Sequence, residues 1–224
     1  MVNQKQLPIK FRELYTEGVW SNDYVTNLTN EPSEPEDYPN ALLDIGISLD
    51  KLSTDLSEKK ILVIGSITPW IECFLLSKGA SKVYITDINE IIVENDNIIF
   101  INENDIINHN FDFILSYSSI EHIGLGRYGD KIDENGDINY MNNLYDILNK
   151  NTTLLIAIPV YIHYLVEGIW HRIYNKSRIE KLFEKYEILF SVKNGVLNEN
   201  INYEFDTFYE YTWQNQPTIV LKKK

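Results

Sequence analysis

ILVIGSITPW, residues 61–70, decides how the rest of the chain is read. An apolar run ends in one glycine, and Pro69 follows four positions later, the order of a buried strand turning into a helix start. Nucleotide-binding α/β proteins usually place several glycines at such a junction, so that bare backbone can approach the ligand. Here Gly65 stands alone before Ser66, Ile67 and Thr68. Two readings follow: a cofactor turn in which Ser66 and Thr68 supply side-chain hydrogen bonds, or a βα turn that binds nothing. Thr68 reads as the N-cap of the next helix with Pro69 in its first position, Trp70 as a core residue, and Glu72 as an acid complementing the helix N-terminus.

Working outward, the pattern repeats. KKILVIG (59–65), KVYITDIN (82–89), NIIFIN (97–102), FDFILSYSS (111–119), TTLLIAIPV (152–160), EILFSVKNG (187–195) and PTIVLKK (217–223) read as strands. Helical segments fall at PWIECFLLSKGA (69–80), stopped near Gly79, and at 138–149 and 175–186. Alternating strands and helices predict right-handed βαβ units. The expected fold is α/β and Rossmann-like: a mostly parallel seven-stranded sheet with helices on both faces and an antiparallel C-terminal strand, ending as a hairpin. Residues 59–224 form this domain, and 1–58 form an N-terminal extension that packs on it as a cap. Within the extension, FRELYTEGVW (11–20) reads as a short helix and TNEPSEPEDYPN (29–40) as loop, while ALLDIGISLDKL (41–52) has apolar residues at mixed helical spacing.

Composition narrows the function. The chain has 224 residues, 44% of them hydrophobic, enough for a sizeable core. A net charge of −13 leaves no global positive field for a phosphate backbone, so a nucleic-acid substrate is not expected. One cysteine, Cys73, cannot form an intramolecular disulfide, which suits a reducing compartment. No apolar run has the length of a membrane span, and the N-terminus lacks an apolar signal-like segment. The expectation is a cytoplasmic protein acting on a small molecule.

Ligands of such sheets sit at the carboxyl ends of the strands. Asp87 ends the second strand at the spacing from Gly65 where a carboxylate accepts hydrogen bonds from ribose hydroxyls. Asp105, after the third strand, is placed to read an adenine amino group, or is a solvated loop acid. The densest signal is SYSSIEHIGLGRYGDKIDENGD (116–137). A turn alone does not need serines, Glu121, His122, Arg127, Tyr128 and Asp130 together. His122 is assigned as general base or as a ligand-binding donor, and Glu121 and Asp130 are placed with it among the catalytic residues; Ser118 is assigned to the cofactor, and Arg127 and Tyr128 to the substrate. The structural alternative has Glu121 capping a helix and Arg127 pairing with Asp130. His171 and Arg172 follow the fifth strand; Arg172 either holds an anionic substrate group or makes a surface salt bridge. His109 and His163 read as structural. No metal is expected, because reading back from Gly136 puts Lys131 where a calcium loop needs an acid, and there is no H-E-x-x-H or cysteine pair.

VIGSITPWIE, KGASKVYITD, SSIEHIGLGRYGDKIDENGD, IPV and HRIY, in this order over roughly residues 59–175, resemble domain-of-unknown-function family 268, known from nematodes and bacteria and regarded as methyltransferase-like. Lys131 and Glu134 stand where that family typically has proline, and Val63 where well-studied methyltransferases carry an acid. The resemblance implies a class I S-adenosylmethionine-dependent methyltransferase fold, with cofactor over Gly65, Ser66 and Thr68. The expected acceptor is a small polar metabolite, such as a sugar or sugar nucleotide of surface-polysaccharide synthesis. The alternative is a non-catalytic descendant that binds a ligand or partner.

Overall fold

Every residue of Ile61–Ile64, Phe113–Tyr117 and Thr153–Ala157 is buried, so these strands face protein on both sides, as apolar runs without alternation require. The structure, a computed structural model, describes residues 19–53, 55–199 and 212–224. In chain order the elements begin with β1 (Val19–Trp20), α1 (Asn22–Asn30), α2 (Ala41–Lys51), β2 (Ile61–Ile64), α3 (Trp70–Ser77), β3 (Val83–Thr86), β4 (Ile92–Val93) and β5 (Ile98–Phe100). They continue with β6 (Phe113–Tyr117), α4 (Gly136–Ile147), β7 (Thr153–Ala157), β8 (Leu165–Val166), β9 (Arg172–Ile173), α5 (Lys176–Leu182), β10 (Tyr186–Lys193), β11 (Val196–Asn198) and β12 (Thr218–Lys223). Single 3₁₀ segments cover Glu103–Asn108 and Ile120–His122.

The main sheet has the order β11-β10-β12-β7-β6-β2-β3-β5. From β5 to β7 all pairings are parallel, whereas β12 runs antiparallel to both β7 and β10. Among the described residues the sheet is therefore eight-stranded and mixed rather than seven-stranded: β11 folds back on β10 at Asn194–Gly195 and adds an edge. The last strand does not extend a terminal hairpin outward but inserts between β7 and β10. The connection across 200–211 lies outside the described residues.

Strand alternation splits the core in two. Ile61, Val63, Val83, Ile85, Phe113 and Leu115 face α1–α3, and Leu62, Ile64, Ile114, Leu154 and Ile156 face α4 and α5. The N-terminal segment is part of the first layer: Trp20, Val25, Ala41, Ile45 and Leu49 are buried in it. Asp44 of α2 is nearly inaccessible and accepts the Asn194 and Gly195 amides, tying that helix to the β10–β11 turn. Of the helix expected over 11–20, residues 11–18 lie outside the described residues, and Val19–Trp20 form a strand paired with β4.

Helix α3 starts one residue later than its sequence suggests. The Cys73 amide donates to the Pro69 carbonyl, so Pro69 is the N-cap, and Thr68 caps nothing. Glu72 occupies the third helical position, from which a capping-box acid would reach back to the N-cap amide. Pro69 has no N–H to offer, so the carboxyl turns inward to Ser66 instead. The helix stops as expected at Gly79, where the Gly79 and Ala80 amides bond the Leu76 and Leu75 carbonyls.

Candidate functional site

Three strand ends meet where the winding direction reverses. β2 lies between β3 and β6 with Ile64 in register with Thr86 and Ser116, so Gly65, Asp87 and Ser118 emerge side by side. Gly65 takes φ +78°, and a Cβ there would stand 1.9 Å from Ser119 Oγ. The turn thus needs glycine for its backbone angle and for the close approach of the Ser119 loop. Beside it opens a cavity of about 230 Å³. Ile64, Ile67, Ile88 and Ile123 supply its apolar wall, Tyr128 and Tyr140 its rings, and Asp87, Glu103 and Asp130 its charge. No lysine or arginine is among its described lining residues.

Gly65, Asp87, Ser118, His122, Tyr128 and Asp130 therefore come together as the sequence suggested. Asp87 accepts the Asn89 amide through one oxygen, which orients the carboxylate at the cavity. Three assigned cofactor contacts do not reach it. Ser66 is buried and donates to Glu72 Oε1. Thr68 is half-buried away from the lining, and Asp105 is an exposed residue bonded by Asn108. The 3₁₀ turn after β5 presents Glu103, not Asp105, to the cavity; Glu103 is itself exposed, and partial burial of its carboxyl raises its pKa. Ser119 and Tyr140 also line it without having been singled out.

Around Ile120–His122 the side chains form a layered polar cluster. Ser118, a non-glycine residue at φ +51°, donates to Glu121 Oε1 at 2.6 Å and accepts from Gln216 Nε2 at 3.0 Å. Glu121 is fully buried, and burial pushes its pKa up to about 7 against the opposing effects of Ser118, Arg127 and Arg172. Its Oε2 has no hydrogen-bond partner among the described residues. His122 Nδ1 lies 2.5 Å from the Trp170 carbonyl oxygen, a contact that needs the ring proton on Nδ1 and leaves Nε2 to accept from Arg127 Nη1 at 3.3 Å, with Glu121 Oε1 3.6 Å away. Burial first, then the Arg127 charge, pull the His122 pKa down to about 3. His122 is thus a neutral ring and a weak base on the cavity wall, whereas Glu121 is fully buried and lies outside the cavity lining.

Several assigned residues hold the loop rather than a substrate. Asp130 accepts the amides of Gly124 at 2.6 Å, and of Gly126 and Tyr128 at 3.3 Å. Arg172, 1% exposed, donates to the carbonyls of Glu121, Ile123, Asp133 and Glu134 and lies 3.7 Å from Asp137. It is neither a substrate anchor nor a surface salt bridge. Arg127 does not pair with Asp130; it donates to the Trp170 carbonyl and packs against the Tyr128 and Trp170 rings. His171, outside the cavity lining, pairs with Glu167 at 2.9 Å, and burial lowers its pKa. The glycines of the segment serve packing: a Cβ on Gly124 would stand 2.3 Å from the Asp133 carbonyl oxygen, and one on Gly136 2.8 Å from Gly124 Cα. His109 packs against Tyr84 and Phe111, as a structural residue does.

Comparison with known proteins accords with this geometry. A structure of an S-adenosylmethionine-dependent methyltransferase from Clostridium acetobutylicum matches with TM-score 0.51 and 12% identity over 90% of this chain and 98% of that one. The CcbJ methyltransferase from Streptomyces caelestis matches with TM-score 0.51 and 8% identity over 89% and 96%. A point mutant of MtNAS matches with TM-score 0.53 and 13% identity over 94% of this chain and 70% of that one. At such identities the similarity is one of fold. No curated protein matches the sequence. The model of the family described as Caenorhabditis protein of unknown function, DUF268, matches residues 58–224, and the chain belongs to that family, on a fold shared with S-adenosylmethionine-dependent methyltransferases.

Proposed function

We propose that the protein is an S-adenosylmethionine-dependent methyltransferase acting on a small polar metabolite, with a sugar or sugar nucleotide as the first acceptor class to test. The observation that carries this reading is the character of the cavity at the switch point. It joins a glycine turn to a strand-end carboxylate, has apolar and aromatic walls, and is lined by three acids and no described cation. A dinucleotide would bring a pyrophosphate into that negative field, whereas an adenosine carrying a cationic centre suits it. The residues present therefore fit S-adenosylmethionine, which when bound supplies a methyl group on a sulfonium.

The chain's own part is binding, orientation and proton handling. Asp87 would take the ribose hydroxyls and Glu103 the adenine amino group, between Ile67, Ile88 and the tyrosine walls. Glu121 is fully buried and outside the cavity lining, so it would take a proton from an acceptor hydroxyl only through Ser118, which accepts that proton as it passes its own to Glu121, and neutral His122 lies beside it on the wall. Positioning of the acceptor would supply most of the acceleration.

A second reading, a non-catalytic ligand-binding protein, draws on the engagement of Asp130 and Arg172 with backbone. Calorimetric titration with S-adenosylmethionine, S-adenosylhomocysteine and NAD tests both. Micromolar binding of the first two and none of NAD is expected; binding of neither removes the methyltransferase reading. Transfer of labelled methyl from S-adenosylmethionine to a pool of small metabolites then separates enzyme from binder.

A further inference from the structure

Glu72 is a buried carboxyl that binding and proton transfer at the cavity leave without a task. It is fully inaccessible, its Oε1 accepts the Ser66 hydroxyl, and its Oε2 has no hydrogen-bond partner among the described residues. Among the described residues, the groups facing it are Ser66 from the turn, Tyr24 from α1, Cys73 from its own helix and Asp87 from the end of β3. None of them is a cation. Burial drives Cys73 up to about 12, so the thiol stays neutral and Asp87 is the charge Glu72 feels. Ser66 lies between Gly65 and Ile67, both on the cavity wall, so the carboxyl sits immediately behind the surface a cofactor would touch. Behind a dry wall a charge acts on a ligand with far less screening than at the protein surface.

We propose that Glu72 is a specificity residue that distinguishes a cationic sulfonium ligand from its neutral thioether, by holding an ionisable carboxyl behind the Gly65–Ile67 turn. The inference rests on the methyltransferase reading. Burial, with a smaller contribution from Asp87, raises the Glu72 pKa to about 7, so the charge is largely absent in mild acid and present in mild base. A bound sulfonium favours the carboxylate and so expels its proton, whereas a thioether does not. Once the methyl group has left, the ligand loses this attraction, which assists its exit.

The test is titration of the wild-type protein and Glu72→Gln with S-adenosylmethionine and S-adenosylhomocysteine at pH 6.0 and 8.0. In the wild type the preference for the sulfonium should grow about fivefold across this range. In Glu72→Gln it should stay flat; the ligands' own ionisation is common to both proteins and cancels. At pH 6.5, titrations in buffers of different ionisation enthalpy should show proton release on binding S-adenosylmethionine and much less on binding S-adenosylhomocysteine. Ser66→Ala removes a hydrogen bond to the carboxylate and should move the midpoint to higher pH, a shift that a purely structural role would not produce. It also serves should Glu72→Gln fail to fold. An identical pH dependence in wild type and Glu72→Gln, or an unmoved midpoint in Ser66→Ala, would overturn the proposal while leaving the methyltransferase reading intact. A wild-type protein that binds neither ligand removes both.

Discussion

At the scale of single residues, chemistry and geometry divide the strand-end side chains into those that face the cavity and those that brace it. Asp87 faces it, and Asp87→Ala is expected to weaken S-adenosylmethionine about 10- to 100-fold, the loss of one or two charge-assisted hydrogen bonds, read by calorimetry. Gly65 is fixed by its surroundings, since its φ of +78° and the Ser119 hydroxyl 1.9 Å from a Cβ penalise any side chain. Gly65→Ala should destabilise the fold by about 2 kcal/mol in urea denaturation and abolish cofactor binding. Glu121 gives a pH signature. Its folded pKa, about 7, lies above the ordinary value of 4.5, so its contribution is present in full below pH 4.5 and lost as pH rises through 7. His122 works in the opposite sense, its stabilisation present above pH 6.5 and lost as pH falls through about 3. Comparing wild type with Glu121→Gln isolates the carboxyl. The variant should gain relative stability between pH 4.5 and 7, by at most about 3 kcal/mol, measured as urea midpoints across pH. Equal slopes in the two proteins would mean that Glu121 is not desolvated as the structure shows.

At the scale of elements, the loop after β6 owes its shape to anchors from distant parts of the chain. Asp137 at the start of α4 is fully buried between Arg178 of α5 and Tyr174, with Arg172 of β9 at 3.7 Å. Arg172 in turn gathers carbonyls from the Ile120–His122 turn and from residues 133–134. Truncating one member leaves a buried charge without compensation, so Asp137→Ala is expected to cost about 3–5 kcal/mol in chemical denaturation. Cofactor binding should fall with it, because His122 and Tyr128 ride on the same loop. The cluster SYSSIEHIGLGRYGD was legible in sequence as exceptional, yet its polar residues mix two tasks. Asp130 and Asp87 both line the cavity, and nothing in residue type tells that Asp130 is engaged by three backbone amides as well.

At the scale of the whole molecule, the sequence by itself determined the class of fold. Apolar runs of strand length, separated by helical periods, leave few arrangements other than a doubly covered sheet, and the end of each strand could be located to within about three residues. That placed Gly65, Asp87 and Ser118 on one edge without coordinates, because parallel strands in register bring their carboxyl ends together. Tertiary structure decided the rest. The eighth strand, the insertion of β12 between β7 and β10, and the packing of residues 19–52 into the first core layer depend on pairings far apart in sequence. The reassignment of Glu103 for Asp105 comes instead from the 3₁₀ turn after β5, and the inward turn of Glu72 to Ser66 from an N-cap, Pro69, that has no N–H to offer. A strand-end position is a local property of the chain, whereas the charge state of Glu121, Glu72 or His122 is set by burial and by neighbours from other elements, which only folding supplies.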